Sequence, residues 1–258
     1  MAATGDWWGD FTLEEERSAL WRAGTLALRV TRQQSEWRMA WRSEPDEAAP
    51  AMTATVPAED LDDTWELRRY GFSTTTAVGR LVPALSDRTI VSRPAIPVAV
   101  PPGQSIDLVV TTPLWLRAEC EGLAINELPT LRLSDTWFGA STREGQLCYA
   151  ARTHLRPARE LGEVSGWRAL TTVRVINRAA DTLVVERLAL PVPRLALYRH
   201  RDAFWTSTIT LERPLESSEE AQVTVDPAPP GPGAVRIGEP RETADEHPVS
   251  RVFNSLFG

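Results

Sequence analysis

Lysine is missing altogether. All 28 basic residues are arginine, and 35 acids outnumber them, leaving a net charge of −7. Phosphate recognition needs a concentrated basic face, so this balance speaks against nucleic acid as a partner. Cysteine and histidine are nearly as scarce. Cys120 and Cys148 match no zinc spacing, and His154, His200 and His247 have no second ligand at i+2, i+3 or i+4. A disulfide framework and an ordinary His/Cys metal centre are thereby excluded, and no cofactor is expected. No apolar run approaches the ~20 residues of a membrane span. The opening MAATGDWWGDF has neither a basic nor an apolar leader segment. A cytoplasmic chain without direct membrane insertion is therefore expected.

Tryptophan is abundant, with ten residues against three tyrosines. Such side chains fill a core, or they form an aromatic binding face for sugars or for a partner protein; their dispersal along the chain favours the core. Nearly every periodic segment has period 2. In EWRMAWR, Trp37, Met39 and Trp41 fall on one face, and Leu26, Leu28 and Val30 do the same in TLALRV, with RQQS as the turn between. Ile106, Leu108 and Val110 follow a Pro-Pro-Gly turn, and Val173, Val175, Leu183 and Val185 flank a turn from Asn177 to Asp181. Short strands at roughly 8–12-residue spacing predict an all-β fold, an immunoglobulin-like antiparallel β-sandwich without the disulfide. One large sandwich and two small ones remain equally open.

The predicted organisation places an N-terminal β region at 1–90 and the sandwich at 91–225. Residues 43–67, with eight acids, three prolines and no arginine, read as a solvated acidic loop. Within it, EDLDD lacks the ligand alternation and central glycine of a calcium loop. DPAPPGPG opens a Pro/Gly-rich linker at 226–245. A short amphipathic helix is expected at 246–258, where Val249, Val252, Phe253, Leu256 and Phe257 share one helical face. That face must dock, either on the protein's own body or in a partner's groove.

The stretch SDTWFGASTREGQLCYA (134–150) concentrates polar chemistry. It reads first as a hairpin, with Trp137 and either Cys148 or Leu147 and Tyr149 pointing inward, and Arg143 and Glu144 at the tip. As a ligand site it would use Asp135, Trp137, Arg143, Glu144 and Tyr149, with Arg143 offering a fork for a carboxylate. As a hydrolase it would need a base such as His154 or His200 brought to Ser141 or Cys148. No nucleophile elbow or phosphate loop is present, so no catalytic residue is assigned.

Several blocks carry a family resemblance: Arg69-Tyr70-Gly71-Phe72-Ser73, Arg93-Pro94, Pro102-Gly103, Thr112-Pro113-Leu114-Trp115, Asp135-Thr136-Trp137-Phe138-Gly139, Arg143-Glu144-Gly145 and Leu147-Cys148-Tyr149. Together they resemble the domain of unknown function 432 family of archaeal and bacterial proteins, over most of the chain. The resemblance implies no catalytic residues. Some bacterial members are encoded beside small-conductance mechanosensitive channels, which implies a non-enzymatic cytoplasmic accessory protein that binds another protein, such a channel among them.

Overall fold

The alternation through TLALRV and EWRMAWR is realised as the longest hairpin of the chain. The structure, a computed structural model, describes residues 7–57, 61–94, 96–139, 143, 145–152, 156–157, 164–215 and 221–242. The chain divides into two units, residues 1–84 with 114–132 and residues 85–113 with 133–258. The first unit opens with β1 (Gly9–Thr12), β2 (Arg17–Arg32), β3 (Glu36–Pro57), β4 (Glu66–Gly71) and β5 (Val78–Ala84). The chain then enters the second unit for β6 (Ile90–Arg93), β7 (Val98–Val100) and β8 (Ser105–Pro113). It returns for β9 (Trp115–Cys120) and β10 (Leu123–Pro129) before the second unit resumes with β11 (Ser134–Phe138) and β12 (Gln146–Arg152). The rest follows as β13 (Arg156–Pro157), β14 (Arg168–Asn177), β15 (Leu183–Val185), β16 (Leu188–Leu190) and β17 (Leu197–His200). Last come β18 (Ala203–Thr206), β19 (Thr208–Arg213), β20 (Gln222–Asp226) and β21 (Val235–Gly238). The fold is all-β.

In the first unit, sheets β1-β5-β9-β10 and β2-β3-β4 share one core. Trp21, Trp37, Leu13, Leu28, Met39, Leu81 and Leu116 are its largest fully buried members. Phe11 meets Trp21 and Trp37 edge-on at 4.9 and 6.1 Å, the geometry aromatic quadrupoles prefer. Gly79 makes room for that ring, since a Cβ there would collide with Phe11. Strands β9 and β10 close through Glu121 and Gly122, both at positive φ, as a two-residue hairpin turn of type I′ requires. Glu121 then accepts hydrogen bonds from the Thr76 amide (2.7 Å), the Thr76 hydroxyl (3.1 Å) and the Trp37 indole (3.2 Å).

In the second unit the main sheet centres on β14, antiparallel to β8 and parallel to β18 and β19. Strand β12 also runs parallel to β6. The expected antiparallel pairing holds for most strand pairs, and these three are parallel because their partners are joined by connections that cross rather than turn back. The Asn177–Asp181 turn stands, fastened by the Asn177 side-chain amide on the Val100 and Asp181 carbonyls.

Three further expectations change. Residues 43–57 are not loop: they continue β3 and pair with β2, from Ser43↔Leu26 to Pro57↔Arg17. Register shifts beside Leu20 and Gly24 break the period-2 pattern that would have revealed the strand. The boundary expected near residue 90 is replaced by a chain that passes between units at 84/85, 113/114 and 132/133. The 226–245 linker is also corrected. Strand β21 pairs with β17, the Tyr198 hydroxyl donates to the Pro227 carbonyl (3.3 Å), and the Arg241 guanidinium donates to the Leu85 carbonyl (3.0 and 2.5 Å). The expected helix at 246–258, with Val249, Val252, Phe253, Leu256 and Phe257, lies outside the described residues. Among the described residues, no helix is long and apolar enough to cross a membrane.

Candidate functional site

The stretch 134–150 folds as the hairpin β11–β12, with Asp135 opposite Tyr149, Thr136 opposite Cys148 and Trp137 opposite Leu147. Alternation then sorts the side chains. Phe138 and Cys148 turn inward and pack with Val91 and Ala189. Trp137 and Leu147 turn outward, 46% and 47% exposed. The expectation that Trp137 points inward is therefore corrected. Its indole instead lies across Gly145, where a Cβ would come within 2.6 Å of Trp137 Nε1 and of the Phe138 carbonyl. Strand β11 is the edge of its sheet, which runs β11-β12-β6-β16.

Residues 86–89, which the sequence did not single out, complete the site. The buried Ser86 hydroxyl donates to the Arg88 carbonyl (2.6 Å) and holds the turn. The Tyr149 amide donates to the Thr89 carbonyl (2.9 Å), and the Gln146 side-chain amide to the Thr89 hydroxyl (3.2 Å). Arg88 then pairs with Asp135 at 3.1 Å and stands 5.1 Å over the Tyr149 ring. The Tyr149 hydroxyl donates to Asp87 at 3.1 Å. Burial, then the neighbouring Asp87 charge, pushes the Tyr149 phenol up. The only signal for this turn was Ser86-Asp87 ahead of a β-branched run, and its distance in sequence hid the contact.

Structure thus brings together Asp135 and Tyr149 of the sequence-derived set and links them to Asp87 and Arg88. Arg143 is exposed, whereas Ser141, Glu144 and His154 lie outside the described residues. A cavity of about 210 Å³ adjoins the hairpin, lined by Arg88, Leu147, Pro191, Arg194 and Glu242 among others. Its guanidinium groups already face carboxylates: Arg194 meets Glu242 at 3.5 Å, as Arg88 meets Asp135. The cavity therefore offers balanced charge rather than an open anion site. Cys148 is fully buried, and burial pushes its thiol up to about 11. Its hydrogen bond runs to the Gln146 carbonyl at 3.6 Å. That environment is the opposite of one that generates a thiolate nucleophile. Among the described residues no cluster of His, Cys, Asp and Glu could hold a metal ion.

No curated protein and no solved structure matches this chain. A family model does, from residue 7 to residue 257, and it spans the motif blocks that meet in this hairpin. With nearly its whole length covered, the chain belongs to the family described as protein of unknown function (DUF432).

Proposed function

We propose that this protein is a non-catalytic binding module whose β11–β12 hairpin is a contact surface for another protein. One observation carries the reading. Trp137 of the edge strand β11 and Leu147 of its neighbour β12 sit side by side in register and nearly half exposed, while the other nine tryptophans are buried or half-buried. Exposed aromatic–aliphatic pairs on a rigid strand supply large contact area at little entropic cost, which is what interface anchors need. The high thiol pKa of Cys148 supports the non-catalytic part. The short strands of the second unit support an immunoglobulin-like reading of that unit. The family resemblance directs the choice of partner to a small-conductance mechanosensitive channel, approached from the cytoplasm, with the apolar residues of 246–258 as a second contact.

Co-purification from gently solubilised cells tests this, with the channel itself as the readout. The full chain is compared with a Trp137→Ala/Leu147→Ala chain and with one ending at Glu242. The expected result is channel recovery with the full chain and a loss of about tenfold or more with the double substitution. A loss confined to the chain ending at Glu242 would move the contact to the C-terminal segment. Absence of the channel from every sample would overturn the choice of partner.

A further inference from the structure

The first unit holds a second cavity, of about 310 Å³, where β3 and β4 of one sheet approach the end of β10 in the other. Its apolar wall comes from Leu26 and Leu128, both buried, and from the half-buried Trp41. Its charged groups are Arg42, Arg68, Arg132 and Glu66. Arg42 is already committed, donating to Glu44 at 3.0 and 2.8 Å and standing 4.7 Å over the Trp65 ring. Arg68 and Arg132 are different: neither forms an ion pair among the described residues. Pairing Met39 with Arg68 and Trp41 with Glu66 places Arg68 and Glu66 on the Trp41 face of β4, where both remain exposed at the cavity mouth. Arg68 stacks over Trp41 at 5.4 Å, a rigid guanidinium on an indole platform.

We propose that this cavity binds a small carboxylic acid with an apolar, aromatic body. The carboxylate sits between Arg68 and Arg132, and the ring rests on Trp41, Leu26 and Leu128. Two arginines against one opposing carboxylate leave the cavity net positive within a chain of net charge −7, so an anion is the complementary ligand. Arginine suits the task because its planar fork matches a carboxylate with two parallel hydrogen bonds. The volume lies at the lower end of small-molecule sites, which sets the ligand at about the size of one or two fused rings. This site lies wholly within the first unit and owes nothing to the hairpin surface proposed above.

Calorimetric titration of the full chain with indole-3-acetate, and with its neutral counterpart indole-3-acetamide, tests the proposal. The expected result is saturable binding of the acid, with the amide about tenfold weaker or more, since a charge-assisted pair is lost. Arg68→Gln and Arg132→Gln should each weaken the acid by a similar factor. Glu66→Gln should tighten it, because the opposing charge is gone. If Arg68→Gln unfolds, the exposed Arg132 decides alone. No saturable binding of the acid, equal binding of acid and amide, or indifference to Arg132→Gln would overturn the site. Arg68 would then be a solvated charge that guards the β4 edge against strand pairing.

Discussion

Gly145 is a residue whose role depends on its neighbours across the hairpin. Its missing side chain leaves space for the Trp137 indole and the Phe138 carbonyl, each 2.6 Å from where a Cβ would stand. The indole is exposed and can swing aside, but a backbone carbonyl cannot move without shifting β11. Gly145→Ala should therefore destabilise the fold by about 1–3 kcal/mol, the usual cost of overpacking. Urea unfolding followed by tryptophan fluorescence measures it, and part of the loss should persist in a Trp137→Ala background. An unchanged midpoint would show that the turn absorbs the methyl freely. The motif blocks around Trp137 and Gly145 were visible in the sequence as separate patterns. That one exists to make room for the other was not, since periodicity says which residues share a face and not which face is buried.

Strand β21 shows how an element can hide in composition. Its four residues, Val235 to Gly238, sit in a segment rich in proline and glycine, and their partner β17 lies far upstream. Nothing local distinguishes them from a spacer, which is why 226–245 reads as a linker. A chain ending at Val225 loses β21, the Tyr198–Pro227 bond and the Arg241 anchor on Leu85. It should melt at least about 5 °C below a chain ending at Glu242, which keeps all three. Equal melting of the two would return the segment to the status of a tether. The β2–β3 ribbon makes the same point from the other side. Its first half was legible through strict alternation, and its second half was masked by bulges that prolines and acids tolerate.

At the scale of the whole molecule, arginine–carboxylate pairing governs the response to acid. The Asp10 carboxyl is lowered by its hydrogen bond to Arg80, and Asp107 by its bond to Arg174. Glu36 is lowered chiefly by Arg69, and then by Arg38, against the opposing effect of burial. For Glu121, burial would raise the carboxyl, but the Thr76 and Trp37 hydrogen bonds and the Arg32 charge outweigh it. Each group titrates lower in the folded chain than its ordinary 3.8 or 4.5, so the unfolded chain takes up protons first as pH falls. The stability they contribute is complete above those ordinary values and is lost on descending through the lowered ones. Urea midpoints should be level from about pH 8 to 6 and fall below about pH 5. Glu121→Gln should flatten that fall more than Asp10→Asn, because exposed pairs are screened by water. A midpoint that rises on acidification would mean that relief of the net negative charge dominates instead.

What the sequence determined by itself was local: the all-β class, the hairpins at 26–41 and 134–150, and the Asn177–Asp181 turn. Alternation and turn chemistry are written in neighbouring residues, so one chain suffices to read them. Tertiary structure alone decided that Trp137 faces outward and that Asp87 and Arg88 join Asp135 and Tyr149. It also decided that the chain passes three times between two units. Those outcomes depend on which distant strand supplies the ladder partner and which face another sheet covers, and neither is encoded in the spacing of adjacent side chains.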